Sequence, residues 1–173
     1  MRRDTVQGRC FSSFPALFLY AAAALAAFAA HEAEAREDVF LLIRNWETGE
    51  SLAEAPAGAG GKLFFGWMHS LEHIPWNEYY HIDEDLHLIL DTITFPAFGA
   101  GIPENKGKAC YIKDGLIYME EIGQKFEELL WLNSNTATRE IRLDDKFGTS
   151  GAELPHHLKL RLKIERDEKN GAK

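Results

Sequence analysis

The sequence predicts an all-β fold: a single-domain β-sandwich or a partly open antiparallel barrel, preceded by an N-terminal signal or anchor helix. Three observations carry this. Short apolar runs alternate with period two rather than 3.6. Turn-forming pairs such as Thr48-Gly49 and Asp114-Gly115 separate those runs. Several strands at close spacing, joined by turns, leave sheet packing as the way to bury their apolar faces.

The elements follow in chain order. Val39 to Trp46 is a mostly apolar strand that ends at the Thr48-Gly49 turn. Ala53 to Gly61 is small and glycine-rich and reads as a flexible loop. Leu63, Phe65 and Trp67 alternate with Phe64, Gly66 and Met68, so both faces of that strand are apolar. Trp76, Glu78, Tyr80 and Ile82 share one face of the next strand, and the two strands form a hairpin with its corner at Ser70 to Ile74. Leu86, Leu88 and Leu90 share a face of a third strand that continues towards Phe95. Asp114-Gly115 predicts a type I′ hairpin, whose two central residues need positive φ. Ile122, Phe126, Leu129 and Leu130 fit a helical stripe, but Gly123 weakens a helix, and strand is expected from about Glu127. Leu158, Leu160, Leu162 and Ile164 alternate with charged residues in a half-buried strand.

Composition bounds the role. The chain has 173 residues, 46% of them hydrophobic, enough for one domain with a real core. Its net charge is −8, and no basic patch interleaved with aromatics is present, which argues against nucleic acid as a partner. Residues 1–35 read as an export segment. Arg2, Arg3 and Arg9 precede an uncharged apolar run from Phe14 to Ala30, and small residues at Ala27, Ala29, Ala33 and Ala35 are spaced for cleavage. The run is short against the roughly 20 residues of a membrane span, so a cleaved signal and an uncleaved anchor both stay open. Either places residues 36–166 outside the cytoplasm, in the periplasm, with membrane contact only through the N-terminal segment. Asp167 to Lys173 is a polar tail expected to fray. Cleavage leaves Cys110 alone; it alternates with Ile112 and is expected to be a small buried hydrophobe.

The segment His69 to Tyr80 crowds histidines and carboxylates beside tryptophan and tyrosine. Polar groups in such surroundings need partners or a task. The hairpin places His69 on the face of Phe65 and Trp67, and Glu78 on the face of Trp76 and Tyr80, which predicts a partly buried cluster of His69, Glu72 and Glu78 with Ser70 nearby. That cluster could cap and pair the corner structurally, form a recognition surface, or hold a divalent metal through His69, Glu72 and Glu78. No other cofactor is expected. His69-x-x-Glu72-His73 has the spacing of an inverted zinc-protease motif, but that chemistry needs a helix, and Pro75 follows at once. Ser70 beside His69 is no nucleophile pair, because adjacent strand residues face opposite ways and no nucleophile elbow exists. No catalytic residue is assigned.

Phe98-Gly99-Ala100-Gly101-Ile102-Pro103 reads as a tight apolar corner or, alternatively, an anion-binding nest. It lacks the lysine and hydroxyl of a phosphate loop. His156-His157 suits an exposed turn, and Trp46, Trp67, Trp76 and Trp131 suit core or edge anchors.

At His69-Ser70-x-Glu72-x-x-Pro75-x-x-Glu78-x-Tyr80, at Phe98 to Pro103 and at Asp114-Gly115, the chain resembles DUF1850, a family of uncharacterised bacterial exported domains. The resemblance spans roughly Phe40 to Ile164. It implies a non-enzymatic accessory of a periplasmic solute-uptake system, the TAXI-type tripartite ATP-independent (TRAP) transporters, with a membrane or solute-binding component as partner. It also marks His69, Ser70, Glu72, Pro75, Glu78, Tyr80, Gly99, Ala100, Gly101 and Pro103 as the family's characteristic positions, without giving them a role.

Overall fold

The computed structural model describes residues 39–99 and 104–166. The expected export segment (residues 1–35), residues 100–103 of the glycine bend and the expected polar tail (residues 167–173) lie outside the described residues. All regular structure in the described residues is β. The strands are β1 (Val39–Asn45), β2 (Ser51–Pro56), β3 (Lys62–Met68), β4 (Pro75–Ile82), β5 (Leu88–Phe95) and β6 (Ala109–Lys113). They continue as β7 (Leu116–Glu120), β8 (Gln124–Phe126), β9 (Leu129–Leu132), β10 (Thr138–Leu143), β11 (Phe147–Thr149) and β12 (Lys159–Arg166).

Two antiparallel sheets result. The smaller runs β2-β1-β12-β9; the larger runs β11-β10-β3-β4-β5-β7-β6, with β8 also pairing β5. Leu41, Ile43, Leu160 and Leu162 of the small sheet join Leu63, Ile82, Leu88, Ile141 and Leu143 of the large one in a single buried cluster. Each such side chain contributes roughly 1.5–3 kcal/mol when removed from water. The molecule is a sandwich of open sheets, not a closed barrel.

Alternation dictates most of this. In β1 and β12 every second residue is buried, as expected for strands with one face to the core. Asp114 (φ 51°) and Gly115 (φ 77°) occupy the β6–β7 turn with the positive φ that type I′ requires, pairing Lys113 with Leu116. The segment after Gly123 holds two short strands and no helix: β8 begins at Gln124, and β9 begins at Leu129 after a break at Glu127 and Glu128.

Three expectations are corrected. Residues 53–56 are not loop: they belong to edge strand β2, where Ala55 is buried against β1 and Pro56 closes the strand. Proline costs little at an edge because its missing N–H breaks no ladder bond. Cys110 is exposed, not buried, because β6 is the outermost strand of the large sheet and gives no residue to the core. Leu86 is not in a strand; it sits in the preceding turn with φ 66°. The strand does continue to Phe95, as expected, but its alternation is interrupted once. Tyr79 pairs with Thr92 and Tyr80 with Leu90, so Asp91 is an extra residue in β5. This bulge changes the buried positions from 88 and 90 to 93 and 95.

Candidate functional site: an aromatic groove with a carboxylate floor

The β3–β4 register sets directly opposed pairs: Leu63 with Tyr80, Phe65 with Glu78, and Trp67 with Trp76. These side chains share the face turned towards the small sheet, because strand side chains repeat with period two. The facing wall comes from β8 and β9. Trp131 meets Phe65 edge-on (5.3 Å between centroids), and Phe126 meets Tyr80 edge-on (6.0 Å). Between the walls lies a partly open groove of about 630 Å³, lined by Trp67, His69, Trp76, Glu78, Tyr80 and Trp131 among others. That volume lies within the usual range for small-molecule sites.

Glu78 forms the polar centre of the floor. Its Oε1 accepts from Trp76 Nε1 (3.1 Å) and its Oε2 from Tyr80 Oη (2.7 Å). Burial raises its pKa above the usual carboxylate value; contacts from the Tyr80, Trp76 and Trp67 side chains and the more distant Lys106 charge oppose that rise without cancelling it. Tyr80 is likewise raised well above the ordinary phenol value, first by burial and then by the negative charge on Glu78. Trp76 is held from behind by Phe95, stacked at 4.8 Å with an interplanar angle of 7°.

At the open end of the hairpin the corner closes on itself. His69 N–H donates to the Ile74 carbonyl (2.9 Å) and His73 N–H to the His69 carbonyl (2.8 Å). His73 takes the left-handed conformation (φ 54°), so the His-x-x-Glu-His spacing falls in a turn, not on a helix, and His73 points into solvent. The His69 ring lies over Trp67 (5.7 Å, 28°) and tilts against Trp76 (5.7 Å). Its Nδ1 faces the Glu72 backbone N–H at 3.4 Å, which makes Nδ1 the acceptor nitrogen.

The expected cluster is therefore divided. His69, Glu78 and Tyr80 line the groove together. Glu78 is bonded to ring donors rather than to His69, and among the described residues His69 forms no ion pair with either acid. Glu72 turns the other way, against the glycine bend: a Cβ added at Gly99 would lie 2.6 and 2.7 Å from its two carboxylate oxygens. The corner and the start of the bend thus meet at Glu72 and Gly99. Ser70 is exposed and Pro75 opens β4 opposite Met68. Ala100, Gly101 and Pro103 are outside the described residues.

Among the described residues, one set of three possible metal-ligating side chains gathers its ligand atoms within 4.8 Å: Asp83, Asp85 and His87, in the β4–β5 turn. His69, Glu72 and Glu78 do not form such a set. The turn group is already engaged. Asp83 Oδ1 accepts from the backbone N–H of His87 (2.8 Å) and of Asp85 (3.0 Å), and Lys125 Nζ lies 3.3 Å from Asp83 Oδ2. The His87 amide, more than any other group, holds Asp83 at about 2.

Sequence reasoning missed the β8–β9 wall, Lys106 at the rim and the buried Asn133. Asn133 Nδ2 donates to the carbonyls of Gly151, Leu154 and Pro155 at 3.1, 3.2 and 2.9 Å, fixing the loop behind β9. A lone asparagine after an apolar run carries no signal of such a role. Trp131 could have been found, since an aromatic in an edge strand needs something to cover it.

No curated protein and no solved structure matches this chain. Residues 64–149 match the family model of DUF1850, a domain of unknown function; the matched segment contains most of the β3–β4 hairpin, its corner and the floor of the groove.

Proposed function

We propose that this chain is an exported, non-enzymatic binding domain that serves a periplasmic solute-uptake system of the TAXI-type TRAP class, and that the aromatic groove is its recognition site. The observation that carries the binding role is the floor of the groove. There a carboxylate, bonded to neutral ring donors, faces an open aromatic cleft of ligand size. The transport setting rests on the family resemblance and on the export pattern of the first 35 residues. The partner is a membrane or solute-binding component of the transporter. Ser70, the hydroxyl beside His69, is exposed and is not among the residues that line the groove, so it lends no support to a hydrolytic role.

The test is capture from native membranes by the full-length, C-terminally tagged chain, compared with Trp67→Ala and Glu78→Gln variants. A transporter component is expected with the wild type and depleted with both variants. Equal capture by all three would remove the groove from the interaction. The metal alternative on His69, Glu72 and Glu78 is decided by elemental analysis of purified protein together with the thermal shift on adding zinc or calcium.

A further inference from the structure

We infer that the groove takes an organic cation: a ligand whose ammonium group sits on Glu78 and whose apolar body lies along the rings of Trp67, Trp76 and Trp131. The inference rests on the groove being a binding site and names its ligand class.

Charge complementarity selects the class. Five polar, titratable side chains line the groove: His69, Glu78, Tyr80, Lys106 and Glu128. Glu128 has a cationic neighbour in Arg161, at 3.7 Å. Among the described residues Glu78 has none within ion-pair distance: its bonded partners are a neutral indole and a neutral phenol, and Lys106 reaches it only as a longer-range attraction. Glu78 is half-buried, and a carboxylate partly withdrawn from water is commonly paired with an opposite charge. An ionised carboxylate offers about four lone-pair sites. Two go to Trp76 and Tyr80, with a weaker contact from Trp67, so acceptor capacity is left for an incoming N–H.

The walls agree with this class. Indole and phenol rings present negative faces that attract a cation, and they cover an apolar body as well. An anionic ligand would meet Glu78 without compensation. A neutral ligand could use the rings but would leave the charge unanswered. Lys106 is exposed at the rim, and its charge competes with an ammonium for Glu78.

Three probes of one shape separate these cases: benzylammonium, benzyl alcohol and benzoate, titrated into the full-length chain with tryptophan fluorescence and calorimetry as readouts. Benzylammonium is expected to bind at least tenfold more tightly than benzyl alcohol, and benzoate most weakly. Glu78→Gln should abolish the preference for the cation while benzyl alcohol still binds. This variant keeps both ring partners, since an amide oxygen accepts from the indole and its NH2 donates to the phenol oxygen. Lys106→Ala, on the surface, should strengthen benzylammonium binding several-fold and weaken benzoate further. Equal or tighter binding of benzyl alcohol or benzoate overturns the cation assignment but leaves the groove a binding site. Binding by none of the three also overturns it; the membrane capture with Trp67→Ala then decides separately whether the groove recognises anything.

Discussion

Glu78 and Asp83 stand five residues apart, one in β4 and one in the turn that ends it, yet their carboxylates behave in opposite ways. Glu78 faces inwards among rings, and burial makes its charge costly. Asp83 faces a turn whose backbone amides and Lys125 all favour the ionised form. The difference teaches that donor number alone does not set a carboxylate's charge. Both accept two strong hydrogen bonds, but Asp83 draws them from water-accessible backbone and has a cation beside it. A satisfied acid in a turn is architecture. An acid half-buried among rings, with no ion pair among the described residues, is poised to receive a counter-charge.

The comparison can be broken most severely by removing the ring support of Glu78. Trp76→Ala takes away a buried indole stacked on Phe95 and a donor to the carboxylate. The expected loss is about 3–5 kcal/mol, read by urea denaturation. The pH profiles of stability should then show the two acids as opposites. The raised pKa of Glu78 means the folded state holds its proton more tightly than the unfolded chain. Its contribution is therefore fully present below the ordinary glutamate value of 4.5 and is lost as pH rises through the raised one. Glu78→Gln should flatten that decline and leave stability at pH 8 equal to or above wild type. Asp83, lowered from 3.8 to about 2, contributes fully above 3.8 and loses its contribution as pH falls towards 2. Asp83→Asn should remove that acid-side loss and lower stability at neutral pH. The smallest effect belongs to Gly99→Ala: the added methyl displaces the Glu72 carboxylate, the movable end of a side chain. The change should stay within about 0.5 kcal/mol by thermal melting, as for exposed sites generally.

The strands that alternate cleanly were legible in the sequence, and so was the hairpin that carries the site. Leu160, Leu162 and Ile164 announce a buried face, and Asp114-Gly115 announces its own turn. Placing Trp76, Glu78, Tyr80 and Ile82 on one face already located the floor of the groove. What periodicity could not supply was contact between distant segments. Residue spacing cannot distinguish His69 from Trp76 and Tyr80 as the partner of Glu78, because all three share its sheet face. Cys110 was misplaced for the same reason: alternation marks a strand's two faces, but whether a strand is central or outermost depends on pairing order. Ala53 to Pro56 looked like loop because alanine and proline are poor strand formers, whereas pairing along β1 overrode their weak preference.

Asp91 has a consequence for the cleft itself. Residues 88–90 of β5 pair with β8, and residues 93–95 pair with β7, so one sheet edge hosts two successive tenants. The seam between them falls at Asp91, where the chain turns past through Ile122 and Gly123, whose amides bond to the Asp91 and Leu90 carbonyls. The β8 tenant brings Gln124 and Phe126 to the cleft wall. Deletion scanning across residues 89–93 should therefore find the cleft intolerant of a one-residue shortening. Losing that residue would swing Ile93 and Phe95 outwards and take the backing from behind Trp76.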